Sequence, residues 1–169
     1  VPESRQLQGI VAIHSIEDNI ALAVLDRISD HGVENRKKKS ALARRFIDEL
    51  RIKTESERKK LSQLSGGNQQ KVVIAKWLAA EPKVLILDEP TAGIDVQAKD
   101  EVHHLIRSLS EQGISILLVS SEMPELLNNS DRIVVMNDFR IIAEYQEATQ
   151  EEIMSTIMRD KANRRKEVG

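Results

Sequence analysis

Cysteine is missing from the 169-residue sequence, which excludes disulfides, thiolate zinc sites and cysteine nucleophiles together. A chain without thiols fits a reducing cytosol. Aromatic residues make up only 2%, so a core has to be assembled from Leu, Ile, Val, Ala and Met. Ring platforms that stack bases or sugars are disfavoured for the same reason. Long apolar runs are also lacking. The longest, residues 84–87 and 116–119, are far too short to span a bilayer, and the N-terminus carries no signal-peptide pattern. Any membrane role has to come through a partner. A large excess of one charge sign is absent too: the net charge of −2 gives no general attraction to nucleic acid or anionic lipid. The basic runs Arg36-Lys37-Lys38-Lys39 and Arg164-Arg165-Lys166 read as a solvated helix face and a tail.

What is present is an ordinary globular mixture, 40% hydrophobic and 31% charged, of a length that suits one domain with a single core. Ser15 with Asp18 three residues on predicts an approximate capping box. The helix behind it runs through Ile16, Ile20, Val24 and Leu25 and ends near 29–32, with His14 and His31 as flanking caps or terminators. A second helix is expected over 35–50, with Leu42, Phe46, Ile47 and Leu50 on its apolar face. A polar segment, 53–60, leads into a well-buried helix over 68–80, where Trp77 is expected to pack in the core and Pro82 prevents continuation. The run 84–87 reads as a strand covered on both faces of a parallel sheet. A helix over 96–110 follows, with Lys99, Asp100 and Glu101 on a solvated face and His103 and His104 at the surface. Gly113 ends it. Then come a strand over 114–119, a short helix with Pro124 in its first turn, a strand over 133–136 with 141–145 as hairpin partner, a helix over 149–158 and a frayed polar tail. Residues 1–60 thus form a helical piece and residues 61–169 an α/β sandwich.

Two features of this layout can carry chemistry. Ser65-Gly66-Gly67-Asn68 opens the buried helix, where a serine can cap and glycines let an anion approach bare backbone N–H groups. The helix dipole favours negative charge there. A glycine turn before an ordinary helix is the competing account. One helix later, Asp88-Glu89 ends the strand, and ligands of open α/β sheets sit beyond the carboxyl ends of strands. One carboxylate suits Mg²⁺ held largely through water, and the other can orient or deprotonate an attacking water. Two solvated acids at a strand end are the alternative, weakened by the glycine turn that precedes them.

Leu64-Ser65-Gly66-Gly67-Asn68-Gln69-Gln70-Lys71 resembles the signature motif of ABC transporter ATPases. The stretch from Val84 through Asp88-Glu89-Pro90-Thr91 resembles their Walker B strand, and Ala92-Gly93-Ile94-Asp95 their D-loop. With Val119-Ser120-Ser121-Glu122-Met123-Pro124-Glu125, the likeness narrows to tandem-cassette ATPases of bacterial sugar importers of the ribose, galactose and xylose type, particularly the second cassette. The resemblance covers nearly the whole chain. It implies a P-loop NTPase-like parallel sheet with flanking helices plus a small helical subdomain, and ATP with Mg²⁺ as ligands. Ser65, Gly66 and Gly67, with Asn68 and Gln69 in the same stretch, would contact the γ-phosphate of ATP held by an opposing cassette. Asp88 would support Mg²⁺, Glu89 would activate water and Asp95 would cross a dimer interface. Glu3 falls at the family's Q-loop glutamine. The implied partners are a first cassette or another ATPase chain and transmembrane permease subunits, without nucleic acid. The implied location is cytoplasmic, peripheral at the inner face of the membrane.

Three departures bear on that picture. No G-x-x-x-x-G-K-[ST] occurs in the sequence, so the loop that cradles phosphates and supplies a lysine is not in this chain. The expectation is a C-terminal piece of a cassette, with an incomplete sheet, unpaired edges and a tendency to self-associate. Ser121 stands at the position of a switch histidine and cannot become a cation. Glu3 replaces a glutamine and brings an anion near phosphates. Two other functions compete: a non-catalytic regulatory cassette, and a DNA-repair ATPase segment. The second is disfavoured because no sustained heptads or basic stripe appear. Whether the chain alone is an enzyme stays open, with the isolated chain expected to be inactive.

Overall fold

The structure is a computed structural model that describes residues 1–167, with side-chain surroundings through residue 163. It divides into two compact units, Val1–Val119 and Ser120–Gly169.

In the first unit the chain opens with a single π-helical turn, Arg5–Gly9. The buried Lys76 ammonium donates to Gly9 O at 2.6 Å and fixes the end of that turn. Ser15 then caps α1 (Ile16–Ala21). Its Oγ accepts from Asp18 N–H at 3.1 Å while Asp18 Oδ2 accepts from Ser15 N–H at 3.3 Å, a complete capping box. The long helix expected to follow is broken into α1 and a single turn, α2 (Leu25–Ile28). The interruption falls at Val24, whose φ of −140° and ψ of 26° leave the helical region. His31 and Gly32 take φ of +52° and +81°, the left-handed pair that closes a two-residue hairpin. The chain therefore folds back as β1 (Ser29–Asp30) on β2 (Val33–Glu34).

Asn35 begins α3 (Arg36–Glu49), its Oδ1 accepting from Lys37 and Lys38 N–H. The basic run on this helix is not simply solvated. Lys39 is buried, with Nζ between Asp18 Oδ1 at 2.6 Å and Glu34 Oε1 at 2.7 Å, and Lys38 pairs with Asp30. The side chains of the other run, Arg164-Arg165-Lys166, lie outside the described residues. Glu57, in the polar segment after α3, is also buried and accepts from Ser40 Oγ and Arg44 Nη2, both at 2.9 Å.

The remainder of this unit is α4 (Gly66–Leu78), β3 (Val84–Asp88), α5 (Val96–Glu111) and β4 (Ser115–Val119). β3 and β4 pair in parallel, from Val84 opposite Ser115 to Asp88 opposite Val119. On the other edge of β3, Val1 donates to Ile86 O at 2.7 Å and accepts from Asp88 N–H at 3.1 Å. One core joins the helical piece to the sheet: Ile16, Ile20 and Phe46 belong to the same buried cluster as Val72, Leu85, Leu87 and Val102. The expectation of a strand covered on both faces is corrected. Leu85 and Leu87 are buried, but Val84, Ile86, Leu117 and Val119 are about half exposed, all on the opposite face of the pair by the two-residue alternation of strands. Apolar surface of the kind that self-association requires is therefore present. Trp77 is likewise 40% exposed and borders a shallow apolar cleft of about 180 Å³ with Val1, Pro82 and Ile86, rather than filling the core.

The second unit contains α6 (Met123–Asn129), β5 (Ile133–Asn137), β6 (Arg140–Tyr145) and α7 (Gln150–Glu167). β5 and β6 form the expected antiparallel hairpin. Ile133, Val135 and Ile153 make its buried centre. α7 extends well past the expected end near 158. Two side-chain bonds tie it to the hairpin: Tyr145 to Thr156 at 2.7 Å and Asn137 to Asp160 at 2.6 Å.

Two buried or braced carboxylates set the acid limit of the first unit. Hydrogen bonding and charge from Arg44 hold Glu57 at about 2, below its ordinary 4.5. Lys71 and Lys53 do the same for Glu101, also at about 2. A carboxylate depressed in the folded state contributes stability that is complete above its unfolded pKa and is lost as pH falls through the folded value. Melting temperature is expected to hold down to about pH 4.5 and to fall between there and about pH 2. Glu57→Gln should be less stable than the parent at neutral pH and lose less on acidification, which thermal melts across that window will measure.

Candidate functional site

The glycine turn and the strand-end acids lie in the same unit, joined by α4 and the core beneath it. Ser65 occupies the N-cap position of α4 with extended backbone, but its side chain makes no bond to the helix backbone. The expected serine cap is thus present in position and absent in bonding. Oγ instead accepts from Asn68 Nδ2 at 2.8 Å. Among the described residues no side chain accepts from the first-turn N–H groups, the condition under which a helix start can receive an anion.

The two glycines have a packing role as well. A Cβ on Gly67 would stand 2.5 Å from Ala98 Cβ, on the first turn of α5. One on Gly66 would lie 3.2 Å from Ile94 Cγ2, 3.7 Å from Gly93 O and 3.3 Å from the guanidinium of Arg5. The start of α4 therefore rests directly on the loop after β3. Gln69 braces it from the other side, donating to Leu61 O at 3.2 Å and Leu64 O at 3.1 Å.

At the strand end, Glu89 N–H donates to Val119 O at 2.9 Å, continuing the ladder one residue past Asp88. Glu89 then takes φ of +45°, and its carbonyl accepts from Ala92 N–H at 3.1 Å in the turn that follows. A left-handed non-glycine residue costs about 1–3 kcal/mol and is retained where the surroundings over-determine it. Here the strain falls on the residue whose carboxylate the sequence singles out. Thr91 beneath the turn is 1% exposed, Gly93 takes φ of +68°, and Asp95 caps α5 by accepting from Ala98 N–H at 2.9 Å.

The structure brings Ser65, Gly66, Gly67, Asn68, Gln69, Asp88, Glu89 and Asp95 into the first unit, where the first turns of α4 and α5 touch. Glu3 is exposed there, one residue before Ser4, which caps the π-helical turn. Ser121 belongs to the second unit and is exposed. Sequence reasoning gave no individual site role to Arg5, Lys53, Lys71 or Glu101. Arg5 reaches the glycine turn with a buried Nε that has no hydrogen-bond partner, and burial lowers its pKa. Glu101, expected on a solvated face, accepts from Lys53 at 2.9 Å and Lys71 at 2.8 Å. No periodicity signals such pairs, because the partners lie 48 and 30 residues away.

The parallel strand pair ending at two carboxylates, with a glycine-opened helix before it, lies in an α/β fold shared with a solved ATP-binding cassette. The solved dimeric structure of the ATP-binding cassette MJ0796 in a post-hydrolysis state, bound to ADP and Pi, superimposes with a TM-score of 0.69. It covers 85% of this chain and 62% of that one, at 22% identity. The chain belongs to the ABC transporter family, whose profile matches residues 4–92, more than half of its length. It is 48% identical over 154 residues to the xylose import ATP-binding protein XylG of Thermoanaerobacter pseudethanolicus, covering 90% of this chain and 30% of that protein. It is also 48% identical over 155 residues to the ribose import ATP-binding protein RbsA of Caldanaerobacter subterraneus, covering 90% and 31%. The L-arabinose transport ATP-binding protein AraG of Geobacillus stearothermophilus is 48% identical over 156 residues, covering 91% and 30%. The chain spans about three tenths of the length of these curated relatives.

The Gly67–Ala98 contact can be tested directly. Gly67→Ala is expected to lose about 1–3 kcal/mol through overpacking. Adding Ala98→Gly should return the protein to the stability of Ala98→Gly alone, since the two Cβ atoms then no longer collide. Denaturant unfolding of the two single variants and the double variant measures this coupling.

Proposed function

We propose that this chain works in the ATP-binding subunit of a bacterial sugar importer, contributing its signature turn and Walker B strand end to an ATP site shared with another cassette. The observation that carries the proposal is the uncapped start of α4 at Ser65-Gly66-Gly67, packed against the D-loop, in a chain 48% identical to sugar-import ATPases. In this reading the opposing cassette presents the nucleotide. Ser65 Oγ–H and the N–H groups of Gly66 and Gly67 would then meet its terminal phosphate, where the helix dipole adds favourable charge.

The residues fit Mg²⁺ in the manner usual for nucleotide-bound magnesium. Among the described residues no group of three or more His, Cys, Asp or Glu could cage a metal ion. Mg²⁺ keeps several waters and takes one or two carboxylates plus substrate phosphates. Asp88, at the end of β3, would supply one such carboxylate, and the ion would neutralise phosphate charge. Glu89 would take a proton from the water that attacks the γ-phosphorus as the bond to the ADP oxygen breaks. Asp95 holds the start of α5 and, in the assembled pair, would lie near the partner. Ser121, a hydroxyl where most cassettes place histidine, would donate one hydrogen bond without adding positive charge. Such a site would be slower than one with a cation there.

Among the described residues no helix is long and apolar enough to cross a membrane. In this proposal the protein is peripheral at the cytoplasmic face, held there by permease subunits that face the helical piece, roughly residues 8–60. A regulatory cassette that binds partners without hydrolysis is the second reading, favoured specifically by Ser121.

The isolated chain is expected to hydrolyse ATP no faster than background, since it has no glycine-rich phosphate loop. It should associate with a phosphate-loop-bearing cassette only when that cassette is loaded with Mg²⁺ and ATP, and chelation of Mg²⁺ should release it. Sedimentation and phosphate-release assays check both points. Sustained turnover by the chain alone, or association indifferent to nucleotide, would sink the shared-site proposal.

A further inference from the structure

The hydroxyl of Ser65 can donate only one proton, so its direction decides whether it can serve an anion. Two hydrogen bonds in the first unit constrain that direction. Asn68 is 9% exposed. Its Oδ1 lies 2.8 Å from the backbone nitrogen of Lys53, and its Nδ2 lies 2.8 Å from Ser65 Oγ. A backbone N–H can only donate, so the atom facing Lys53 is the amide oxygen and the NH₂ faces the serine. Ser65 Oγ is thereby an acceptor toward Asn68, and its own proton cannot point along that line. Ser65 is exposed, which leaves the proton directed outward.

The segment that orients Asn68 is itself held at several points. Ile52 is 4% exposed in the core, Lys71 Nζ donates to Arg51 O at 3.3 Å, and Lys53 Nζ reaches Glu101 Oε1 at 2.9 Å. Glu101 Oε2 returns to Lys71 at 2.8 Å. Glu101 lies on α5 three residues after Ala98, and Lys71 on α4 four residues after Gly67, so both contacts fall on one helix–helix face.

We infer that Asn68 is a positioning residue for the shared phosphate site, turning the Ser65 hydroxyl outward as a donor, and that the Lys53–Glu101–Lys71 bridge holds Asn68 in place. The inference deepens the shared-site proposal and rests on it for its functional meaning. The hydrogen-bond relay is a property of the chain alone. An aspartate at position 68 would be nearly isosteric and could still accept from Lys53 N–H. It would, however, draw the serine proton inward, and Ser65 would donate to the carboxylate instead of to a phosphate.

Two measurements on the 169-residue chain separate the relay from the shared-site proposal. Side-chain amide spectra read the relay: Ser65→Ala and Glu101→Gln should each move the Asn68 Nδ2 resonances, and resonances unmoved by both would overturn it. Association with a phosphate-loop-bearing cassette loaded with Mg²⁺ and ATP reads the consequence. Asn68→Asp should keep the melting temperature of the parent yet weaken association about tenfold, the loss of one hydrogen bond to a charged group. In a Ser65→Ala background the same change should weaken it less than about twofold, because the serine through which Asn68 acts is gone. A further full tenfold loss in that background would mean that the carboxylate acts by its own charge, and Asn68 would not be positioning Ser65. If the parent chain fails to associate while the amide resonances move as expected, the shared-site proposal falls and the relay is supported.

Discussion

The contact between the first turns of α4 and α5 is the constraint on which the rest of the site depends. Gly67 meets Ala98 where a side chain on either glycine of the turn would crowd its neighbours, and one turn farther along Lys71 meets Glu101. The first contact demands a residue without Cβ. The second places a carboxylate between two lysines, one of them buried. Together they fix both the spacing and the rotation of the helices. Because Asp95 and Ser65 occupy the N-cap positions of α5 and α4, the same contact sets the distance between the strand-end loop and the glycine turn. A change at Ala98 or Glu101 would therefore reach Ser65 without touching it.

That constraint gives the glycines two reasons to be where they are. A bare backbone suits the approach of a phosphate, and it also suits the approach of a neighbouring helix. The sequence pattern Ser-Gly-Gly cannot distinguish these, and the structure displays the second directly. The two are compatible, since Gly67 turns its missing side chain toward Ala98 while the N–H groups of a first helical turn point along the axis, away from that contact. Packing the turn on α5 makes the donor array rigid, and a rigid array loses less entropy when it meets an anion.

Local features were readable from sequence because they depend on neighbours in the chain. The Ser15–Asp18 box, the parallel strands on either side of α5 and the β5–β6 hairpin all rest on spacing of a few residues. The break after Ala21 was missed because apolar spacing continues through Val24 and Leu25, whereas the interruption lies in the backbone at Val24, which side-chain spacing does not report. The covered strand was misjudged for a different reason. A run of Val, Leu and Ile reports that a strand can be buried on both faces, and exposure of Val84 and Ile86 depends on what lies above them. Long-range polar contacts left no trace in any pattern. Glu101 among Lys99 and Asp100 looks like a solvated face, yet its carboxylate is shared between lysines from two other segments.

The candidate site was legible in its identities and not in its bonding. Ser65, Asp88 and Glu89 could be named from the motifs, but a serine at a helix start is ordinarily expected to accept from the helix backbone. Had Ser65 done so, its oxygen would have turned toward the first-turn N–H groups and consumed the donors that an anion needs. Asn68 removes that competition by holding the oxygen from within the helix, at the expense of its own exposure. The residue that follows the glycines thus decides whether the motif is a helix cap or an open donor array, and here the buried amide of Asn68, held by Lys53 N–H, makes it an open one.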